Sequence, residues 1–253
     1  MKYQEYGSTN PETIILLHGG GLSWWNYRAE AEMLQSDYHV ILPVLNGHAD
    51  SDQPFTSIED NAAELVSFID EACGGSVLLI GGLSLGAQVL LEMLSQRSSI
   101  CRYALVESAC VVPSMLTNAL IAPVFGSSYS LVRDRRFAKL QFKSLHMRDD
   151  LFEDYYRDTC KISKADMIAF LKASTAYSLK EPIVHTTAQV YALAGEKESR
   201  AMIESVDRIK QRIPHCTASI LPGLRHGEFS INFPDQYADY LKKMIGSKSG
   251  KTQ

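Results

Sequence analysis

Six short runs of apolar residues, many of them β-branched, punctuate this chain, and amphipathic segments fill much of the space between them. The runs cover residues 13–18 (TIILLH), 38–45 (YHVILPVL), 76–81 (SVLLIG), 103–106 (YALV), 189–194 (QVYALA) and 217–221 (TASIL). Several are apolar on both faces, the pattern of parallel strands covered on each side by helices. Residues 58–72 and 87–97 read as helices between them. This alternation implies an α/β fold built on a doubly wound, mostly parallel sheet.

One interval breaks the rhythm. Residues 111–185 contain no convincing strand, only helical patterns rich in aromatics such as Phe125, Tyr129, Phe142, Phe152 and Phe170. That is too long for a simple connection. It reads as a helical cap inserted between two late strands, leaving residues 1–110 and 186–246 as the core. Residues 247–253 read as a disordered tail.

The chain has 253 residues, 45% of them hydrophobic, enough to fill one large α/β core. Its formal net charge of −4 gives no electrostatic reason to expect nucleic acid or an anionic membrane as partner. A basic run at 133–136 is soon followed by Asp149, Asp150, Glu153 and Asp154, so both read as solvated helix faces. The five cysteines are widely spaced with no C-x-x-C pair, which argues against a disulfide framework or zinc site. With a polar N-terminal stretch and no apolar run long enough to span a bilayer, the expectation is a cytoplasmic protein.

Gly82-Leu83-Ser84-Leu85-Gly86 fits G-x-S-x-G between a strand and a helix. Serine and glycine are poor choices there unless the backbone must turn sharply and lift the hydroxyl above the sheet edge. Side chains at positions 82 and 86 would then collide with the adjoining strand or helix. The helix opening after Ser84 favours negative charge beside it. Ser84 is therefore the candidate nucleophile.

A serine hydroxyl needs a base, and His226 lies on a loop directly after the last strand-like run. The histidine in turn needs a carboxylate. Glu198 is the first choice, far enough past the strand 189–194 to turn inward; Glu107, at the end of 103–106, is the alternative acid, and Glu196 the third. His18-Gly19-Gly20-Gly21 follows the first core strand, and the expected oxyanion donors are the N–H groups of Gly20 and Leu85. His18 reads as a structural, hydrogen-bonding histidine. His48, Asp50 and Asp52 alternate on a loop, but no further ligand cluster supports a metal, so they read as polar loop residues.

Together these residues resemble the α/β-hydrolase superfamily, over about residues 13–245 and in its order of nucleophile, acid and base. The resemblance implies a Ser-His-acid triad, a helical cap and hydrolysis of an ester, thioester or amide with no cofactor. Three departures stand out. The stretch 44–52 only partly matches the family's D-x-P-G-x-G-x-S-D, with Val44, Asn46 and Ala49 replacing the acid, the proline and the second glycine. The acid is a glutamate rather than the commoner aspartate. Few residues precede the first core strand, so the leading antiparallel hairpin is reduced to one strand at 2–6.

The expected activity is that of a carboxylesterase on a small or medium acyl group. Gly21, Trp24, Trp25, Met115, Phe125 and Tyr129 are the candidate substrate-binding residues, although core packing accounts for the aromatic and apolar ones equally well. A carbon–carbon bond hydrolase or lyase on the same triad, and a non-catalytic ligand-binding protein on the same scaffold, are the alternatives.

Overall fold

The computed structural model describes residues 1–246; the tail expected at 247–253 lies outside the described residues. Seven strands form one sheet: β1 (Tyr3–Tyr6), β2 (Thr13–Leu17), β3 (His39–Pro43), β4 (Val77–Leu83), β5 (Cys101–Glu107), β6 (Gln189–Gly195) and β7 (Cys216–Leu221). Their order is β1-β3-β2-β4-β5-β6-β7, and every pairing is parallel except β1 with β3. The chain winds outward from the centre in both directions, so the order reverses between β2 and β4. Loops at the carboxyl ends of these strands diverge there and leave a crevice.

Strand periodicity sends alternate side chains of β2 and β3 to opposite faces. Ile15, Leu17 and Ile41 join a core beneath α2 (Ile58–Ala72), α3 (Leu85–Gln96) and α8 (Arg200–Arg212). Ile14, Leu16, Val40 and Leu42 join a second core beneath α1 (Arg28–Leu34) and α10 (Pro234–Gly246). Helix α2 shows the local logic. Ser57 caps it, its hydroxyl accepting from the Asp60 amide at 2.9 Å, and Ile58, Ala62, Leu65 and Ile69 form its buried stripe. Burial of each large side chain contributes roughly 1.5–3 kcal/mol.

Between β5 and β6 lies the helical insertion: α4 (Met115–Ser128), α5 (Arg135–Ser144), α6 (Phe152–Thr159) and α7 (Lys164–Ala176). It is anchored to the loops after β2 and β3. The Trp25 indole donates to Asp158 at 2.9 Å, the Phe55 amide to Asp166 at 2.8 Å, and Lys161 pairs with Asp50 at 2.8 Å. Gln88 of α3 donates to the carbonyls of Cys110 and Ser174, tying both ends of the insertion to the helix behind the serine.

The strands differ from the sequence reading at their ends. β4 runs two residues further, because Gly81 and Gly82 pair in register with Leu16 and Leu17 despite poor strand propensity.

Candidate active site

Leu83, the last residue of β4, stands opposite Glu107, the last of β5. From this edge the chain turns abruptly. Ser84 has φ 52 and ψ −111, a strained backbone for a residue with a side chain, and helix α3 starts at the next residue. The flanking glycines are obligatory. A β-carbon on Gly82 would lie 2.5 Å from the Gly86 carbonyl oxygen. One on Gly86 would overlap the Leu17 carbonyl oxygen and come within 2.6 Å of that of His18.

The Ser84 hydroxyl donates to His226 Nε2 at 3.0 Å, and His226 Nδ1 donates to Glu198 Oε2 at 2.7 Å. The other oxygen, Oε1, accepts from the Gly195 amide and the Ser108 hydroxyl, both at 2.7 Å. Burial raises the Glu198 pKa, but the bond and charge of His226, the Gly195 amide and the Ser108 hydroxyl outweigh it and hold the carboxyl below its ordinary value. An ionised acceptor requires the proton on Nδ1 and leaves the Nε2 lone pair facing the serine.

Backbone pairing brings acid and imidazole together. Beyond β6 and β7 the Lys197 amide donates to the Leu224 carbonyl at 2.9 Å, linking the two loops, and the Glu198 amide turns back to the Gly195 carbonyl at 3.1 Å. Ser108 was not singled out in the sequence. It follows Glu107 at φ 56, is buried, and also accepts from the Gly227 amide at 3.4 Å, so it joins the acid's loop to the imidazole's. A small hydroxyl residue at a strand's carboxyl end was the signal available.

The other carboxylates point elsewhere. Glu107 shares the face of Tyr103 and Leu105 and is buried under the second core; Oε1 accepts from the Ser230 amide at 3.2 Å. Burial pushes its pKa up to about 7. Glu196 accepts from the Gly223 amide at 2.8 Å.

Gly20 and Leu85 are neighbours: a β-carbon on Gly20 would lie 3.5 Å from that of Leu85. The Leu85 amide opens α3 and has no carbonyl of its own helix to bond. Behind this loop runs a file of rings. His18 Nδ1 donates to the Gly19 carbonyl at 2.9 Å, while Nε2 accepts from the Leu45 amide at 3.1 Å. His18 stands 5.2 Å from the His48 ring, and His48 4.6 Å from Phe170 of α7. Burial lowers His18 to about 3 and His48 to about 4, so both are neutral. Asp50 is paired with Lys161 and Asp52 with Lys2, and no metal-binding cluster occurs among the described residues.

A pocket opens over Ser84, walled by Leu22, Leu83, Leu145, Met147, Gly227 and Ile231, with Gly19 and Gly20 at one end. The expected substrate-binding residues Gly21, Trp24, Trp25, Met115, Phe125 and Tyr129 are not among these walls. Trp25 is buried and committed to Asp158, and Trp24 lies under the Arg28 guanidinium, 4.7 Å from its ring centre. Gly21 sits beside the cavity at φ 78, its carbonyl 3.4 Å from the Thr159 hydroxyl. Met115 is 86% exposed on the outer face of α4. Phe125 packs against the first core, as does Tyr129, whose hydroxyl donates to the Ile162 carbonyl at 2.6 Å. Helix α4 is apolar nearly all round, so its sequence does not say which side faces inward. The walls come instead from Leu145 and Met147, in the turn after α5. The Asn232 side chain holds that turn, donating to the His146 carbonyl at 2.7 Å and accepting from the Arg148 amide at 3.0 Å.

A strained serine on a strand-to-helix turn, relayed through an imidazole to a buried carboxylate, can activate a hydroxyl for attack on a carbonyl. The model of the alpha/beta hydrolase family matches residues 14–240, and the chain belongs to that family. Solved structures of similar fold include a thermophilic esterase from Thermogutta terrifontis, with a TM-score of 0.78, 15% identity, and 97% of this chain and 93% of that one covered. A carboxylesterase of the thaumarchaeon Nitrososphaera gargenis gives 0.78, 16%, 99% and 96% in the same order. An esterase from Exiguobacterium antarcticum gives 0.79, 15%, 96% and 94%. At these identities the likeness is one of fold. No helix among the described residues is long and apolar enough to cross a membrane.

Proposed function

We propose that this chain is a serine hydrolase that cleaves small or medium carboxylic esters through an acyl-enzyme. The observation that carries this reading is the unbroken relay from Ser84 through His226 to Glu198, at 3.0 and 2.7 Å. His226 Nε2 takes the serine proton as Oγ bonds to the carbonyl carbon. The resulting oxyanion lies against the amides of Gly20 and Leu85. As the carbon–oxygen bond to the leaving group breaks, His226 returns the proton to the departing oxygen, and water repeats the sequence on the acyl-enzyme. Residues 111–185 act as a cap whose Leu145 and Met147 wall the acyl site. The apolar cavity suits a short aliphatic acyl chain.

Chromogenic esters and thioesters of graded acyl length, assayed beside Ser84→Ala, test this. Turnover should peak at short or medium chains and fall by about 10⁴-fold or more in the variant, with loss of fluorophosphonate labelling. Undiminished labelling of Ser84→Ala would refute the nucleophile.

A further inference from the structure

The cavity over Ser84 has a neighbour. A second pocket shares Leu145 and His226 with the first and opens toward the loops after β6 and β7. Its lining differs in kind, with Lys197 and Arg225 beside Glu198, Ser199 and Met202. Both cationic side chains are exposed and form no ion pair among the described residues. The nearby carboxylates are bonded elsewhere: Glu198 to His226, Glu196 to the Gly223 amide, and Glu228 to the backbone amide of Arg225 rather than its guanidinium. The bond from the Lys197 amide to the Leu224 carbonyl carries the two cations on adjoining loops. Ser199 caps the thirteen-residue helix α8, so that helix's positive end faces the same space.

Unpaired positive charge concentrated beside one imidazole, in a chain of net charge −4, needs a counterpart. In the acyl-transfer cycle the departing oxygen takes its proton from His226, so the leaving group stands on the imidazole side. The acyl side belongs to the apolar cavity. Resting on the function proposed above, we infer that the natural substrate is an ester whose leaving alcohol bears an anionic oxygen group, planar carboxylate or tetrahedral phosphate or sulfonate. Arg225 and Lys197 receive that group in the second cavity, and Leu145 partitions it from the acyl chain. A guanidinium matches such groups with two parallel donors, and the lysine adds a mobile charge.

Three chromogenic esters with one acyl group test this: 2-nitrophenyl butanoate, 4-butanoyloxy-3-nitrobenzoate and 4-butanoyloxy-3-nitrobenzenesulfonate. Each kcat/KM is divided by the ester's spontaneous hydrolysis rate, which removes the leaving group's intrinsic reactivity. At low ionic strength at least one anionic ester should exceed the neutral one by about tenfold, and the preference should shrink in strong salt. Whether carboxylate or sulfonate leads identifies the preferred shape. Arg225→Glu should bring the ratio to one or below, and Lys197→Ala should lower it several-fold. Because Arg225 adjoins His226, fluorophosphonate labelling of Ser84 checks that each variant keeps its site. An anionic-to-neutral ratio of one or less in the unaltered protein, or one unmoved by both substitutions, overturns the inference while leaving ester hydrolysis standing. Absence of both turnover and labelling overturns the two together.

Discussion

The carboxyl edge of the sheet and the helical insertion above it are held by different kinds of contact. At the edge, position is set by the main chain: strand register, crossed amide bonds between the loops after β6 and β7, and approaches that admit only glycine at residues 82 and 86. In the insertion, position is set by side chains, such as the Trp25 indole on Asp158 and the Asn232 amide on the 146–148 turn. Main-chain constraints dictate particular residue types at particular spacings. Side-chain packing accepts many apolar residues in many arrangements.

The sharpest way to break this contrast is through the two buried glutamates. Glu198→Gln should lower kcat/KM by about 10⁴-fold, because an amide no longer selects the productive imidazole tautomer. Glu107→Gln should cost far less, since its carboxyl meets Ser230. A larger loss from Glu107→Gln than from Glu198→Gln would mean that the alternative acid is the working one. Next in size, Gly86→Ala forces a methyl group onto the Leu17 carbonyl, and should destabilise the fold by about 3 kcal/mol in urea titration. An unaltered midpoint would show that the edge yields more easily than its geometry indicates.

Most of the edge was legible in advance. The glycine-flanked serine, the glycine loop after β2 and the histidine after β7 each announce a backbone requirement, and Glu198 lies far enough past its strand to turn inward. Ser108 was missed, since a serine after a strand is unremarkable without the partners that surround it. In the insertion, helices could be expected over 111–185 but not their orientation. Phe125, Tyr129 and Met115 carry nothing in the sequence that separates a substrate tunnel from core packing.

Acid–base behaviour offers a third test. Burial raises Glu107 from 4.5 to about 7, so the native state holds that proton more tightly than the unfolded chain. Its contribution to stability is complete below about pH 4.5 and lost as pH rises through 7, by about 3 kcal/mol. Glu30, pushed up to about 8 by burial, acts in the same sense. Glu107→Gln should therefore gain thermal stability relative to the parent between pH 5 and 8; a pH-independent difference would contradict the buried proton. The smallest effects separate the two faces of the insertion. Met147→Ser should lose about 1–2 kcal/mol and shift acyl-length preference, whereas Met115→Ser should stay within about 0.5 kcal/mol and shift nothing. Equal responses would return Met115 to the substrate path.

The ring file from His18 through His48 to Phe170 has a consequence in the opposite direction. Two imidazoles kept uncharged by burial, at about 3 and about 4, stand side by side behind the glycine loop. Once unfolded, both bind protons near pH 6.5, so acidification draws the equilibrium toward the opened chain from that point down to about 4. The strain falls where α7 leans on the loop of Gly19 and Gly20. Mild acid should loosen the seam between the helical insertion and the sheet before it melts the strands, silencing the protein while its secondary structure persists.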